Sequence, residues 1–147
     1  MSTIITPKEV VEFAFAPSES FSAEVITDSD VAIAETRYLL PILGYELYNM
    51  VRSGEYDTLR VEYILPMVAS WTRYVVEPLL TRRCAVCGYK PYEYDGVVLR
   101  RLRSTAATFS RNLTNYLNSH QEEFPEYDSS GNPLNRCSID GNIVQIY

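Results

Sequence analysis

Histidine, cysteine and glycine are all scarce in this chain of 147 residues, and each shortage excludes a chemistry. His120 is the only histidine, and no supporting motif surrounds it, so a Ser-His-Asp or Cys-His arrangement cannot be argued. Three cysteines cannot all pair, and small secreted scaffolds carry more of them. They read as reduced thiols of a cytosolic protein. The six glycines are scattered singly, which leaves no Gly-rich loop to cradle a phosphate. Positive charge is short as well. Thirteen Lys and Arg against 19 Asp and Glu leave a net charge of -6, which argues against a general nucleic-acid binder, because gripping phosphates needs a cationic surface. No apolar run approaches the roughly 18 residues of a membrane span. The opening M-S-T-I-I-T-P-K-E-V lacks a basic region followed by an apolar one, so no signal peptide is expected.

What the chain does have is helical patterning. Its length suits one domain with a real core, and its apolar content of 46% is ordinary for a globular protein. Thr6-Pro7-Lys8-Glu9 is a helix start, with a capping threonine, a proline at the first helical position and a glutamate that completes a capping box. That helix is expected to run to about Ala14, before Pro17. A second begins at Thr27 or Asp28, with Val31, Ala34, Tyr38 and Ile42 on one face. Pro41 is expected to kink or break it. A continuation through Val51 stops at Ser53-Gly54. From Glu55 to about Arg83 lies a central helical region with the stripe Ile64, Met67, Val68, Trp71, Tyr74, Val75 and Leu79, bent or divided at Pro66 and Pro78. Y-L-L-P-I-L at 38–43 and Y-I-L-P-M-V at 63–68 echo one another as two similar kinks.

Cys84 to Asp95 reads as a loop. The last helix is the plainest: Leu99, Leu102, Ala106, Phe109, Leu113, Tyr116 and Leu117 fall at steps of three and four, to about Ser119. Arg100, Arg101 and Arg111 face the other way. Beyond Gln121 the chain turns irregular, and Asp140-Gly141 between apolar residues suits a two-residue hairpin turn. The fold class is all-α, with four to five proline-kinked helices and a C-terminal irregular arm that includes a short β-hairpin. Residues 1–120 form the helical domain and 121–147 the arm of that same domain.

Candidate chemistry is thin. Cys84 and Cys87 stand at a spacing that can grip zinc, but a closed site needs two more ligands. Only His120 and Cys137 remain as Cys or His candidates, at separations unlike the usual pairs, so buried or loop thiols are the favoured reading. A redox dithiol would want a helix start after a strand, whereas this pair follows a helix. His120 continues the apolar stripe of the last helix and suits a capping or packing role. Glu35, Glu46, Glu62 and Glu77 lack the Glu-x-x-His partners of a di-metal bundle. They are expected in solvent or paired with Arg37, Arg73 and Arg82. No residue is assigned a catalytic role, no cofactor is expected, and the chain is not read as an enzyme.

The charges are unevenly spread. Residues 1–62 carry eleven acids and four bases, residues 63–111 three and eight, and residues 112–147 five and one. Such a split suits complementary contact between neighbouring subunits, although charges within one fold or facing water give the same count. Arg100, Arg101, Arg103 and Arg111 are candidate interface residues, since arginine is enriched at interfaces. Tyr89, Tyr92 and Tyr94, three of twelve tyrosines, are candidates for the same reason: exposed tyrosines offer contact area at low entropy cost.

One stretch carries a resemblance. A-E-T-R-Y-L-L-P-I-L-G-Y-E-L-Y, residues 34–48, resembles the signature of a family of small helical proteins from tailed phages and prophages of Bacteroides-type gut bacteria. In that family an acidic helix leads into a phrase matched here by Tyr38, Pro41, Leu43, Gly44, Leu47 and Tyr48. N-Y-L-N-S-H-Q-E-E-F-P-E-Y, residues 115–127, resembles the family's closing phrase, so the likeness spans about residues 26 to 127. The family is similar in helical layout to phage head–tail connector (adaptor) proteins, which form a ring under the portal. The resemblance implies a structural function: a connector subunit docking on the portal and joining head to tail. The implied partners are other copies of itself, the portal and tail-completion proteins, with DNA only as passing cargo and no membrane. The implied location is the virion, and the host cytoplasm during assembly. The alternative is a small zinc-binding or generic helical interaction module of a mobile element.

Overall fold

Capping chemistry starts the first two helices. Thr6 accepts from the Glu9 N–H while the Glu9 carboxylate accepts from the Thr6 N–H, and Pro7 opens helix α1, Pro7–Ala14. Thr27 and Asp30 make the same reciprocal pair at the start of helix α2, Asp28–Ala34. Each box satisfies backbone donors that a helix start otherwise leaves open. The structure, a computed structural model, describes residues 3–15, 25–87 and 95–135, together with the backbone of two short strands beyond them. These residues are predominantly helical, as the sequence pattern implies.

At Pro41 and Pro66 the chain stays helical through the proline, by way of a widened turn just before it. A π-helical turn, Glu35–Leu39, leads directly from α2 into helix α3, Leu40–Arg52, with Pro41 inside its first turn. The same device recurs later: helix α4, Asp57–Leu59, runs through the π turn Arg60–Ile64 into helix α5, Leu65–Val76, with Pro66 in its first turn. The Leu40 N–H bonds to the Glu35 carbonyl and the Leu65 N–H to the Arg60 carbonyl, five residues back in each case. A proline ring collides with the carbonyl four residues earlier, and widening the preceding turn by one residue relieves that collision. The echo between 38–43 and 63–68 is therefore one structural solution used twice. No break occurs at Pro41; the backbone leaves helical geometry at Gly44, where φ is 77° and ψ is 163°, a combination essentially reserved for glycine.

Pro78 lies in a 3-10 turn, Glu77–Leu79, and helix α6 follows as Leu80–Cys87. Two expectations change here. Leu79 is exposed, while Val76 and Leu80 carry the buried stripe onward, because the tighter turn rotates the later residues. The segment from Cys84 is not loop at its start, since Cys84 to Cys87 finish α6. Helix α7, Gly96–Ser119, is capped by Asp95 and shows the expected apolar face.

α5 is the central helix and packs against α1, α2 and α7. It is buried on nearly every side, from Met67 through Arg73 and again at Val76. Ile5, Leu39, Leu43, Leu47, Leu59, Leu80, Leu113 and Leu117 close around it, all fully buried. Each such side chain contributes on the order of 1.5–3 kcal/mol of transfer free energy. Polar groups inside this core are matched. Arg73 reaches Glu77 at 3.0 Å and the Ala14 carbonyl at 2.9 Å, and its guanidinium lies 4.1 Å above the Phe15 ring. Arg83 grips both carboxylate oxygens of Asp30 and the Val25 carbonyl, which ties α6 to the start of α2. Among the described residues, every buried side-chain nitrogen or oxygen has a hydrogen-bond partner.

After α7 the chain folds back on the helices. Phe124 and Tyr127 enter the core. Asn132, fully buried, donates to the Tyr127 hydroxyl at 3.1 Å and to Thr114 Oγ1 at 3.3 Å, and accepts from the Leu134 N–H at 3.0 Å. This knot fixes Pro133 and Leu134 against α7. No helix among the described residues is long and apolar enough to cross a membrane.

Candidate functional site

Among the described residues, a groove of about 520 Å³ lies between the π turn before α3, helix α5, helix α7 and the segment Pro133–Leu134. Its floor begins with Trp71. This indole is mostly covered, donates from Nε1 to Ser110 Oγ at 2.8 Å, and carries the Tyr38 ring flat on one face, with centroids 3.8 Å apart and planes 7° from parallel. Pro41, Ile42 and Ala107 extend the apolar wall, and Pro133 with Leu134 closes one end. The asparagine knot beneath Pro133 makes that end a fixed wall.

The rim is cationic. Arg37, Arg103 and Arg111 all line the groove and are exposed. Arg111 makes a hydrogen bond of 3.3 Å to Thr108 Oγ1. None of the three forms an ion pair among the described residues. The pairs present there lie elsewhere: Arg60 with Glu9, Arg73 with Glu77 and Arg83 with Asp30. Three like charges held around one apolar concavity repel one another, and an anionic occupant would lower that energy.

Of the sequence candidates, Arg103 and Arg111 come together at this groove. Arg100 and Arg101 are exposed on α7 outside its lining. Tyr89, Tyr92 and Tyr94 lie outside the described residues. Cys84 is fully buried in α6, and the side chain of Cys87 lies outside the described residues. Among the described residues no three His, Cys, Asp or Glu side chains cluster as a metal site requires. His120 ends α7, with Nδ1 2.9 Å from the Tyr116 carbonyl and its ring against Tyr116, so it packs and caps. Sequence reasoning missed Arg37 as a groove residue. The available signal was its position: it is one of only four bases in residues 1–62 and stands next to Tyr38.

Glu35 corrects a second expectation. It is neither solvated nor paired with an arginine. It is fully buried, and its carboxylate accepts from the Ile4 N–H at 3.0 Å, the Ile5 N–H at 2.9 Å and the Tyr48 hydroxyl at 2.7 Å. Burial is the largest influence on the carboxyl and raises its pKa above the ordinary 4.5, against the opposite pull of those hydrogen bonds. Burial and the Glu35 carboxylate likewise hold the Tyr48 hydroxyl well above its usual value. Both groups are spent on structure: they hold the N-terminal segment to α3. Glu77 is buried against Arg73, as expected for that pair, and Glu46 and Glu62 are exposed.

No protein family, curated protein or solved structure was found to match the chain.

Proposed function

We propose that this chain is a structural subunit rather than an enzyme: a head–tail connector (adaptor) of a tailed phage or prophage that docks on the portal ring. The observation that carries the reading is the set of arginines on α7. Arg100, Arg101, Arg103 and Arg111 are all exposed, on a chain whose first 62 residues hold eleven acids and four bases. Subunits standing side by side would bring that basic helix against the acidic part of a neighbour, a match that steers register more than it adds affinity. The phrases at 34–48 and 115–127 support the phage assignment by resemblance. In this reading the arm beyond residue 121 belongs to the same domain, and its terminal hairpin adds contact to a neighbour or to the portal. Weak contacts of this kind gain strength only when many act together on a template.

Negative-stain electron microscopy of the concentrated protein, with and without the portal protein of the phage or prophage that encodes it, tests the reading. Closed rings, or added density at the narrow end of the portal, are expected. A monomer that leaves the portal bare would overturn the connector reading and favour a generic interaction module. Arg100→Glu combined with Arg101→Glu is expected to abolish assembly on the portal. Intact assembly by that variant would remove the arginines from the mechanism.

A further inference from the structure

We infer that the groove under Tyr38 and Trp71 is a docking site for a short acidic peptide segment that carries an apolar side chain. Three observations lead there. The first is charge: Arg37, Arg103 and Arg111 stand exposed around one concavity, and none is in an ion pair among the described residues. Guanidinium groups present paired donors that match carboxylates two bonds at a time. The second is size. About 520 Å³ falls in the range of pockets that take small ligands, roughly 300–1,000 Å³, so the site admits one or two side chains rather than the face of a folded protein. The third is shape. Beyond Arg37 the surface continues into a shallow depression lined by Ala32, Ile33 and Thr36, where Ile33 is 42% exposed. An extended segment can place its apolar anchor on the Tyr38–Trp71 floor and run past Arg37 over this second patch.

An acidic peptide suits the site better than a nucleic acid. The chain carries a net charge of -6, which repels a long polyanion, whereas a few carboxylates see mainly the local arginines. The site shares Arg103 and Arg111 with the α7 face proposed for ring assembly, but it is built around Arg37 and the Tyr38–Trp71 floor, and Arg100 and Arg101 lie outside its lining. It stands whether or not the protein forms rings.

Trp71 is the sole tryptophan and forms part of the groove, so its fluorescence reports occupancy directly. The probes are a hexapeptide of alternating glutamate and leucine, its lysine–leucine counterpart, and an oligothymidine strand, each titrated into the intact protein at low and high salt. The acidic peptide is expected to change Trp71 emission saturably at low salt and to weaken as salt rises. Arg37→Glu plus Arg103→Glu should reduce its affinity by about tenfold or more, since reversal turns two attractions into repulsions. Arg100→Glu plus Arg101→Glu should leave it within about twofold. Circular dichroism confirms that both variants remain helical, as expected for exposed positions. Three results would overturn the inference: no saturable response to the acidic peptide, an equal response to the lysine peptide, or equal losses in the two double variants. Saturable binding of oligothymidine alone would make the groove a single-strand nucleic-acid site instead.

Discussion

Glu35 shows how much one side chain can decide. A buried carboxylate is expensive unless its lone pairs are filled, and here two backbone N–H groups and the Tyr48 hydroxyl fill them. Ile4 and Ile5 have no regular secondary structure to satisfy their N–H groups, so the carboxylate supplies what a strand partner would. In Glu35→Gln the amide nitrogen would face a backbone donor in either orientation, because each oxygen accepts one of the two N–H groups. The variant is expected to lose about 1–3 kcal/mol of stability, read as a lower urea midpoint at unchanged slope. The pH dependence follows from the raised pKa. The folded chain holds the Glu35 proton to higher pH than the unfolded chain does, so its stabilising contribution is complete below 4.5 and is lost as pH rises through the raised value. The glutamine variant cannot titrate there. Its stability should therefore decline less between pH 4.5 and neutrality than that of the parent, and identical slopes in both proteins would refute the assignment.

At the scale of the element, the prolines and glycines trade roles. Pro41 and Pro66 are carried inside long helical stretches by the π turns before them, and these turns shift the residues that follow. The first turn ends beside the groove and holds Tyr38 on Trp71. Gly44 makes the true bend in α3, and a Cβ built there would meet nothing within 4 Å. Gly44→Ala therefore tests backbone conformation alone. It is expected to cost about 1–3 kcal/mol, seen as a lower melting temperature with the helical signal retained below the transition. A neutral outcome would mean that α3 straightens through residue 44 at no cost. The box at Thr6 and Glu9 was legible beforehand, because the two are local hydrogen-bond partners three residues apart; at the second helix only the start at Thr27 or Asp28 was legible, and the Thr27–Asp30 pair emerged from the structure. The π turns were not, because a proline's clash can be relieved by kinking, breaking or widening a helix, and the choice depends on what packs alongside.

Across the whole molecule, one apolar cluster runs from Ile4 to Tyr127 and includes α5 and α7. No helix has a core of its own, so the parts should lose structure together. Far-ultraviolet dichroism, which reads all the helices, and Trp71 fluorescence, which reads the α5–α7 contact, are expected to give coincident urea transitions. Separate midpoints would show that the segment after α7, or α1, melts independently. The charge pattern belongs to this scale too. The basic middle of the chain is only partly neutralised inside the fold, by Arg73 with Glu77 and Arg83 with Asp30, and the α7 arginines remain on the surface as the largest unspent feature.

The sequence by itself determined the helical class, the capping box at Thr6 and Glu9, the apolar face of α7 and the exposure of its arginines, because each depends on residues within one or two turns of each other. Tertiary structure decided the rest. It turned Glu35 from an acid expected in solvent or beside an arginine into the buried anchor of Ile4 and Ile5, placed a kink at Gly44, and kept Cys84 inside a helix. It also brought Arg37, Trp71 and Arg103 to one groove. Those residues are separated by 34 and 32 positions along the chain, and no local periodicity encodes a meeting made only by packing the π turn before α3 and helix α7 against one tryptophan.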